Sequence, residues 1–325
     1  MSQKNTSLAL YYILALLIKN NMDKILLAIL VTIPFFSCSS VSADTVNATS
    51  LQKIINGEHR SAEHKHRDQY RHPEQTLAFF DVKDDMTVVE IWPGEGWYTE
   101  ILAPYLKDKG KLYAAHFSPN NPTPYFTNRL QEFIDKIHKQ PKLYNKVEMT
   151  VLQPPKDMQI APDGSADRIL TFRNVHNWMG NDQAAEVFSA MYKALKPGGI
   201  LGIVEHRGVP LKPQDPKAAS GYVSEDYIIS LARNAGFEFL AKSEINANPK
   251  DKKNYPEGVW TLPPSLRLKD KDKEKYLAIG ESDRMTIKFI KPQSPTLTSF
   301  LPKALFISDE RANVSAVPEV IHNIK

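Results

Sequence analysis

Thr87-Val88-Val89-Glu90-Ile91-Trp92-Pro93-Gly94-Glu95-Gly96-Trp97-Tyr98-Thr99 is a short apolar run that breaks into a glycine-containing turn and reopens as a helical pattern. A strand, a glycine turn and a helix start in succession bring backbone close to a ligand. The same alternation continues outward. Lys111–Ala115, Val147–Leu152, Arg168–Phe172, Ile200–Glu205, Phe237–Ser243 and Met285–Ile290 read as further strands. Helical patterns cover 97–106, 124–139, 181–195 and 224–235. Near-continuous apolar strands alternating with helices predict an α/β fold over 86–292. Its sheet is doubly wound, mostly parallel and seven-stranded, with helices on both faces.

In such sheets ligands bind beyond the carboxyl ends of the strands. The residues that follow each strand are therefore the candidates. Glu90, Gly94 and Gly96 belong to the first turn. His116 follows the second strand and Gln153 the third. Arg173, Asn174, His176, Asn177 and Trp178 crowd the end of the fourth, and Glu205, His206 and Arg207 follow the fifth. Histidine exchanges a proton near neutral pH, and the arginine fork suits an anion. His176, Glu205, His206 and Arg173 are thus the candidate catalytic residues. Three histidines and a carboxylate on one edge have metal-ligand chemistry. No short ligand spacing accompanies them, so the reading is a polar cleft without metal.

The chain of 325 residues is 42% hydrophobic and 24% charged, which excludes collagen-like, coiled-coil and wholly disordered classes. Residues 1–43 hold two apolar runs, Leu8–Ile18 and Ile25–Phe36, each short for a membrane span. Met22-Asp23-Lys24, the second run and Val41-Ser42-Ala43 have the layout of an export signal cleaved near Ala43. The expectation is a periplasmic or secreted chain without a stable membrane span after processing; the alternative is an uncleaved anchor. Met22 is an alternative start, and Cys38, the one cysteine, an alternative lipidation point. Removing 1–43 takes out three lysines and one aspartate and lowers the net charge from +4 to +2. That balance carries no footprint for nucleic acid. Residues 44–85 lean helical. Most of the basic cluster around His64, His66 and His72 reads as solvated surface, although Arg67–Pro73 has the position of a lid over the cleft. Residues 249–276 read as a surface excursion in which Gly258-Val259-Trp260 has the same option. Residues 293–325 lose periodicity and read as a flexible tail.

The segment "VVEIWPGEGWYT" (88–99) resembles motif I of the class I S-adenosylmethionine-dependent methyltransferases, whose usual form is acidic-x-Gly-x-Gly-x-Gly. "SADRILTFRNVHNW" (165–178), "LKPGGILGIVEHR" (195–207) and "LARNAGFEFLAKSE" (231–244) resemble their later segments, in order. The resemblance covers about residues 75–292. The chain is also similar to an exported branch of predicted methyltransferases. The resemblance implies a Rossmann-like domain, S-adenosylmethionine as cofactor and a small-molecule acceptor. It places Glu90, Trp92, Gly94, Gly96, His116, Gln153 and Asn174 at the cofactor, with His176 or Glu205 deprotonating the acceptor.

Three positions depart from the family pattern. Trp92 stands at the first glycine, and Pro93 is expected to hold it extended, with the indole projecting toward or filling part of the cofactor site. His116 stands where an acid usually grips the ribose hydroxyls. Gln153 stands where an adenine-contacting aspartate is common. S-adenosylmethionine is made in the cytosol, so an exported chain has no obvious supply. Two functions therefore stay open: methyl transfer to a small molecule, or an exported protein that has lost S-adenosylmethionine use and handles another polar ligand on the same fold.

Overall fold

The computed structural model describes residues 50–293. The export signal expected over 1–43, with Met22 and Cys38, lies outside the described residues. So does the tail expected over 293–325, apart from its first residue.

Seven strands form one sheet: β1 (Thr87–Ile91), β2 (Lys111–His116), β3 (Val147–Val151), β4 (Ala166–Phe172), β5 (Leu195–His206), β6 (Glu238–Ser243) and β7 (Arg284–Ile290). Their spatial order is β3-β2-β1-β4-β5-β7-β6. Strands β1 to β5 are parallel, and β7 runs antiparallel to β5 and β6. The Rossmann-like, doubly wound, mostly parallel architecture is the one the alternation of strands and helices predicts.

Each central strand is apolar on both faces, because helices cover both. Val88, Leu170 and Val204 pack on one side with Leu77, Phe80, Leu102 and Leu106. Val89, Ile169 and Ile203, one residue along, pack on the other with Val187, Phe188, Met191 and Ile228. Each fully buried Leu or Phe there contributes roughly 1.5–3 kcal/mol. Gly202 in β5 makes room for Phe80, whose ring an added Cβ would meet at 2.7 Å. Because β1 crosses to β2 on one side while β4 lies on its other side, a crevice opens between β1 and β4. The antiparallel β7 brings its first residue, Arg284, level with His206 at the end of β5 and so to the same edge.

Several expectations need adjustment. The helix after β1 runs Thr99–Leu106, because residues 94–98 are still in the turn. Strand β5 extends back to Leu195. The segment 44–85 is not only a lid: Leu77 and Phe80 are fully buried. Nor is its basic cluster merely solvated, since His64 bonds the Glu100 carboxylate at 2.9 Å and Arg71 is buried. The excursion over 249–276 buries Asp251, Val259, Thr261 and Leu262 and is not a surface loop throughout. No helix among the described residues is long and apolar enough to cross a membrane.

Candidate functional site

The cleft at the β1/β4 crevice has a volume of about 610 Å³, within the range of small-molecule sites. Its walls include Glu90, Gly94, Arg173, Asn174, His176 and His206 from the strand ends. A hollow of about 700 Å³ lies elsewhere, between the loop before β4 and the helix Ala184–Ala194. None of the candidate residues lines it, so the cleft is the candidate site.

The turn after β1 is built from left-handed residues. Gly94 has φ +62° and Gly96 φ +83°. An added Cβ on Gly94 would meet nothing within 4 Å, so its backbone faces open space. On Gly96 it would stand 3.1 Å from the Phe133 ring, so that glycine serves packing. Trp92 also has positive φ, +45°, which corrects the expected extended geometry. The preceding ladder overrides the proline's preference, since Trp92 N–H still donates to Ala115 O at 2.8 Å. The indole turns toward the end of β3, donates from Nε1 to Leu152 O at 2.9 Å, and packs against Phe117, Phe126 and Trp178.

Glu90 is buried at the end of β1 and accepts from Thr99 Oγ1 at 2.6 Å. Burial raises its carboxyl to about 7, against the Thr99 hydrogen bond and the Lys136 charge, which lower it. Asn174 ties β4 to β1 by donating from Nδ2 to Ile91 O and Thr171 Oγ1. His116 does not line the cleft. Its Nδ1 accepts from Phe117 N–H and its Nε2 donates to Gly94 O at 2.8 Å. Burial lowers it to about 4, so it is a neutral brace under the glycine turn. Gln153 does not line the cleft either, and its Oε1 accepts from Asn121 at 2.7 Å.

His176 and His206 face each other with ring centres 5.4 Å apart, and His176 also meets Trp260. Glu205 lies beneath them, fully buried, and does not touch the cleft. Its carboxylate accepts from Val175 N–H, His176 N–H and His206 N–H and pairs with His176 Nδ1 at 3.1 Å. This corrects its expected role as a base: it is a positioning residue. It leaves His176 Nδ1 as donor and Nε2 as the nitrogen free to take a proton. The His206 Nδ1 meets Ser282 Oγ at 2.5 Å, and burial followed by the His176 charge lowers its pKa. Arg207 turns away and pairs with Asp283, Glu225 and Glu244. His176, Glu205 and His206 offer donor atoms within 4.8 Å of one another, a spacing compatible with a metal. The Glu205 oxygens are already committed, and the arginines beside the two histidines oppose a cation.

Sequence reasoning missed Arg284 and gave Arg67 and Arg71 only the place of a lid. All three line the cleft with Arg173. Arg173 is left-handed, φ +64°, and burial lowers its pKa to about 10, aided by Arg284 and Arg67.

No protein-family model matches the chain, and no curated protein matches it. Among solved structures it is similar to an S-adenosylmethionine-dependent methyltransferase from Aquifex aeolicus, at 17% identity and TM-score 0.47, covering 75% of this chain and 98% of that one. It is also similar to the 4+2 cyclase SpnF, at 14% identity and TM-score 0.49, covering 77% and 96%. A third is the geranyl diphosphate C-methyltransferase from Streptomyces coelicolor, at 14% identity and TM-score 0.48, covering 74% and 84%. At these values the likenesses carry no argument about the chemistry of the cleft.

Proposed function

We propose that the chain transfers a methyl group from S-adenosylmethionine to a small-molecule acceptor bound in this cleft. The observation that carries the reading is the left-handed turn at Gly94, open to the cleft beside buried Glu90 at the β1/β4 crevice. The methionyl half of the cofactor fits these residues: Glu90 would take the ammonium and the bare Gly94 backbone would allow close approach. At the nucleoside half, contact would be aromatic, through Phe117, Phe126 and the edge of Trp92, because His116 and Gln153 already have protein partners. S-adenosylmethionine supplies an electrophilic methyl on a sulfonium. The protein's part is alignment of the acceptor and removal of its proton. His176 Nε2 takes that proton while Glu205 holds Nδ1, a role worth about 10²–10⁴-fold in rate.

The filled hydrogen bonds of His116 and Gln153 are the specific observation favouring the second reading, another polar ligand on the same sheet. A pH titration separates the two. An ammonium binds ionised Glu90. Affinity for S-adenosylmethionine is therefore expected to fall roughly tenfold from pH 7.5 to pH 6, and Glu90→Gln to bind weakly with no such slope. A flat profile in the unaltered protein would remove Glu90 from this role. For stability the sign is the reverse. The contribution of the raised Glu90 is fully present below 4.5 and lost as pH rises through about 7. Export, inferred from residues 1–43 alone, is tested by finding Asp44 at the mature amino terminus.

A further inference from the structure

Four guanidinium groups reach one part of the cleft from four places in the chain. Arg67 and Arg71 end the short helices Ala62–His66 and Asp68–Arg71, Arg173 follows β4, and Arg284 opens β7. One carboxylate among the described residues, Glu281, serves three of them directly. It accepts from Arg67 Nε at 2.6 Å and from Arg284 Nη2, and it lies 3.7 Å from Arg71 Nε. Arg67 Nη2, Arg71 Nε and Arg284 Nε are buried and have no hydrogen-bond partner among the described residues. The guanidinium of Arg173 has none among the described residues, and that of Arg71 stands over the Trp97 ring at 4.4 Å. Arg71 and Arg284 are 4% and 2% exposed. Buried like charges with open donors are costly unless something of opposite charge joins them.

We propose that the acceptor carries an oxyanion, a phosphate or carboxylate, seated among Arg67, Arg71, Arg173 and Arg284. Planar forks with free N–H groups match the oxygens of such a group. The lowered pKa values of Arg71 and Arg173, caused first by burial and then by the neighbouring arginines, express the same deficit of negative charge. A void of about 10 Å³ bounded by Arg71, Arg173, Arg284, Tyr98 and Asn246 adjoins the cleft there. His176 and His206 line the same cleft, so an acceptor anchored by its anion has a proton-accepting nitrogen within the same walls. The naming of the anion's bearer as acceptor rests on the methyl-transfer reading; the anion site does not.

The test titrates the purified protein with inorganic phosphate and with succinate, with and without saturating S-adenosylmethionine, and repeats it in Arg173→Gln. The Arg173 guanidinium has no hydrogen-bonding partner among the described residues to lose, so this variant is expected to fold and to melt no lower than the parent. Sub-millimolar phosphate or succinate binding is expected, unaffected by S-adenosylmethionine and about ten- to hundredfold weaker in Arg173→Gln. Competition between either anion and S-adenosylmethionine would overturn the proposal, because the arginines would then hold the cofactor's own carboxylate. No binding of either anion at millimolar concentration, from folded protein, would also overturn it. Anion binding in a protein that ignores S-adenosylmethionine would keep the site and remove the methyl-transfer reading instead.

Discussion

Trp92→Ala is expected to destabilise the protein by about 3–5 kcal/mol, the range for truncating a buried large aromatic. The indole is 7% exposed and fills the space between Phe117, Phe126 and Trp178. Its removal opens a cavity and leaves Leu152 O without its donor. Trp92→Gly should be less damaging than Trp92→Ala by about 1 kcal/mol. The backbone there is left-handed, where any residue with a Cβ is strained and glycine is not. Urea denaturation of the three proteins measures both differences. Equal losses for Ala and Gly would contradict the left-handed geometry, and a loss below about 1 kcal/mol would contradict the packing.

Glu281→Gln is expected to cost about 3–5 kcal/mol, because it leaves buried arginines without their direct counter-charge. The Glu281 carboxyl is held well below the usual range by Arg284, Arg71 and Arg67, which outweigh its burial. The sign follows. A lowered carboxyl pKa gives stability that is present above the ordinary value and lost as pH falls through the folded one. Glu281→Gln should therefore be most destabilising near neutrality and converge on the parent in acid. Added phosphate should recover part of the loss in the variant by supplying the missing negative charge. Thermal melts from pH 7 to pH 3, with and without phosphate, check all three points. A variant as stable as the parent at pH 7 would show that the arginines do not need Glu281.

Much of the sheet was legible because β1, β2, β4 and β5 are buried on both faces and read as continuous apolar runs. The register of Val88 against Val89, each facing a different helix layer, follows from the period of two. Glu90, Gly94, Arg173, Asn174, His176 and His206 were legible from position alone, since strand ends of a doubly wound sheet converge. What resisted was burial within the site. His116, Gln153 and Glu205 are the right residue types at the right strand ends, yet each is satisfied inside the protein, which no spacing reveals. The Trp92 turn went against its proline because a ladder hydrogen bond from Trp92 N–H outranked a local preference. Arg284 hid at the head of an apolar strand. The signal was available: an antiparallel final strand brings its first residue to the functional edge. The Arg67 and Arg71 positions depend on how short helices pack over the cleft, a long-range matter that helical pattern does not encode.

On the proposed function, the open glycine turn beside Glu90 holds S-adenosylmethionine. The most direct test of that claim is isothermal titration of the purified protein with S-adenosylmethionine and with its demethylated product, repeated in Gly94→Val. The site predicts binding of about micromolar strength. It also predicts loss of that binding in Gly94→Val, whose side chain would enter the free space above the turn and whose β-branched carbon is strained at φ +62°. No heat at millimolar ligand from a protein shown to be folded would contradict the claim, and so would binding that Gly94→Val leaves unchanged.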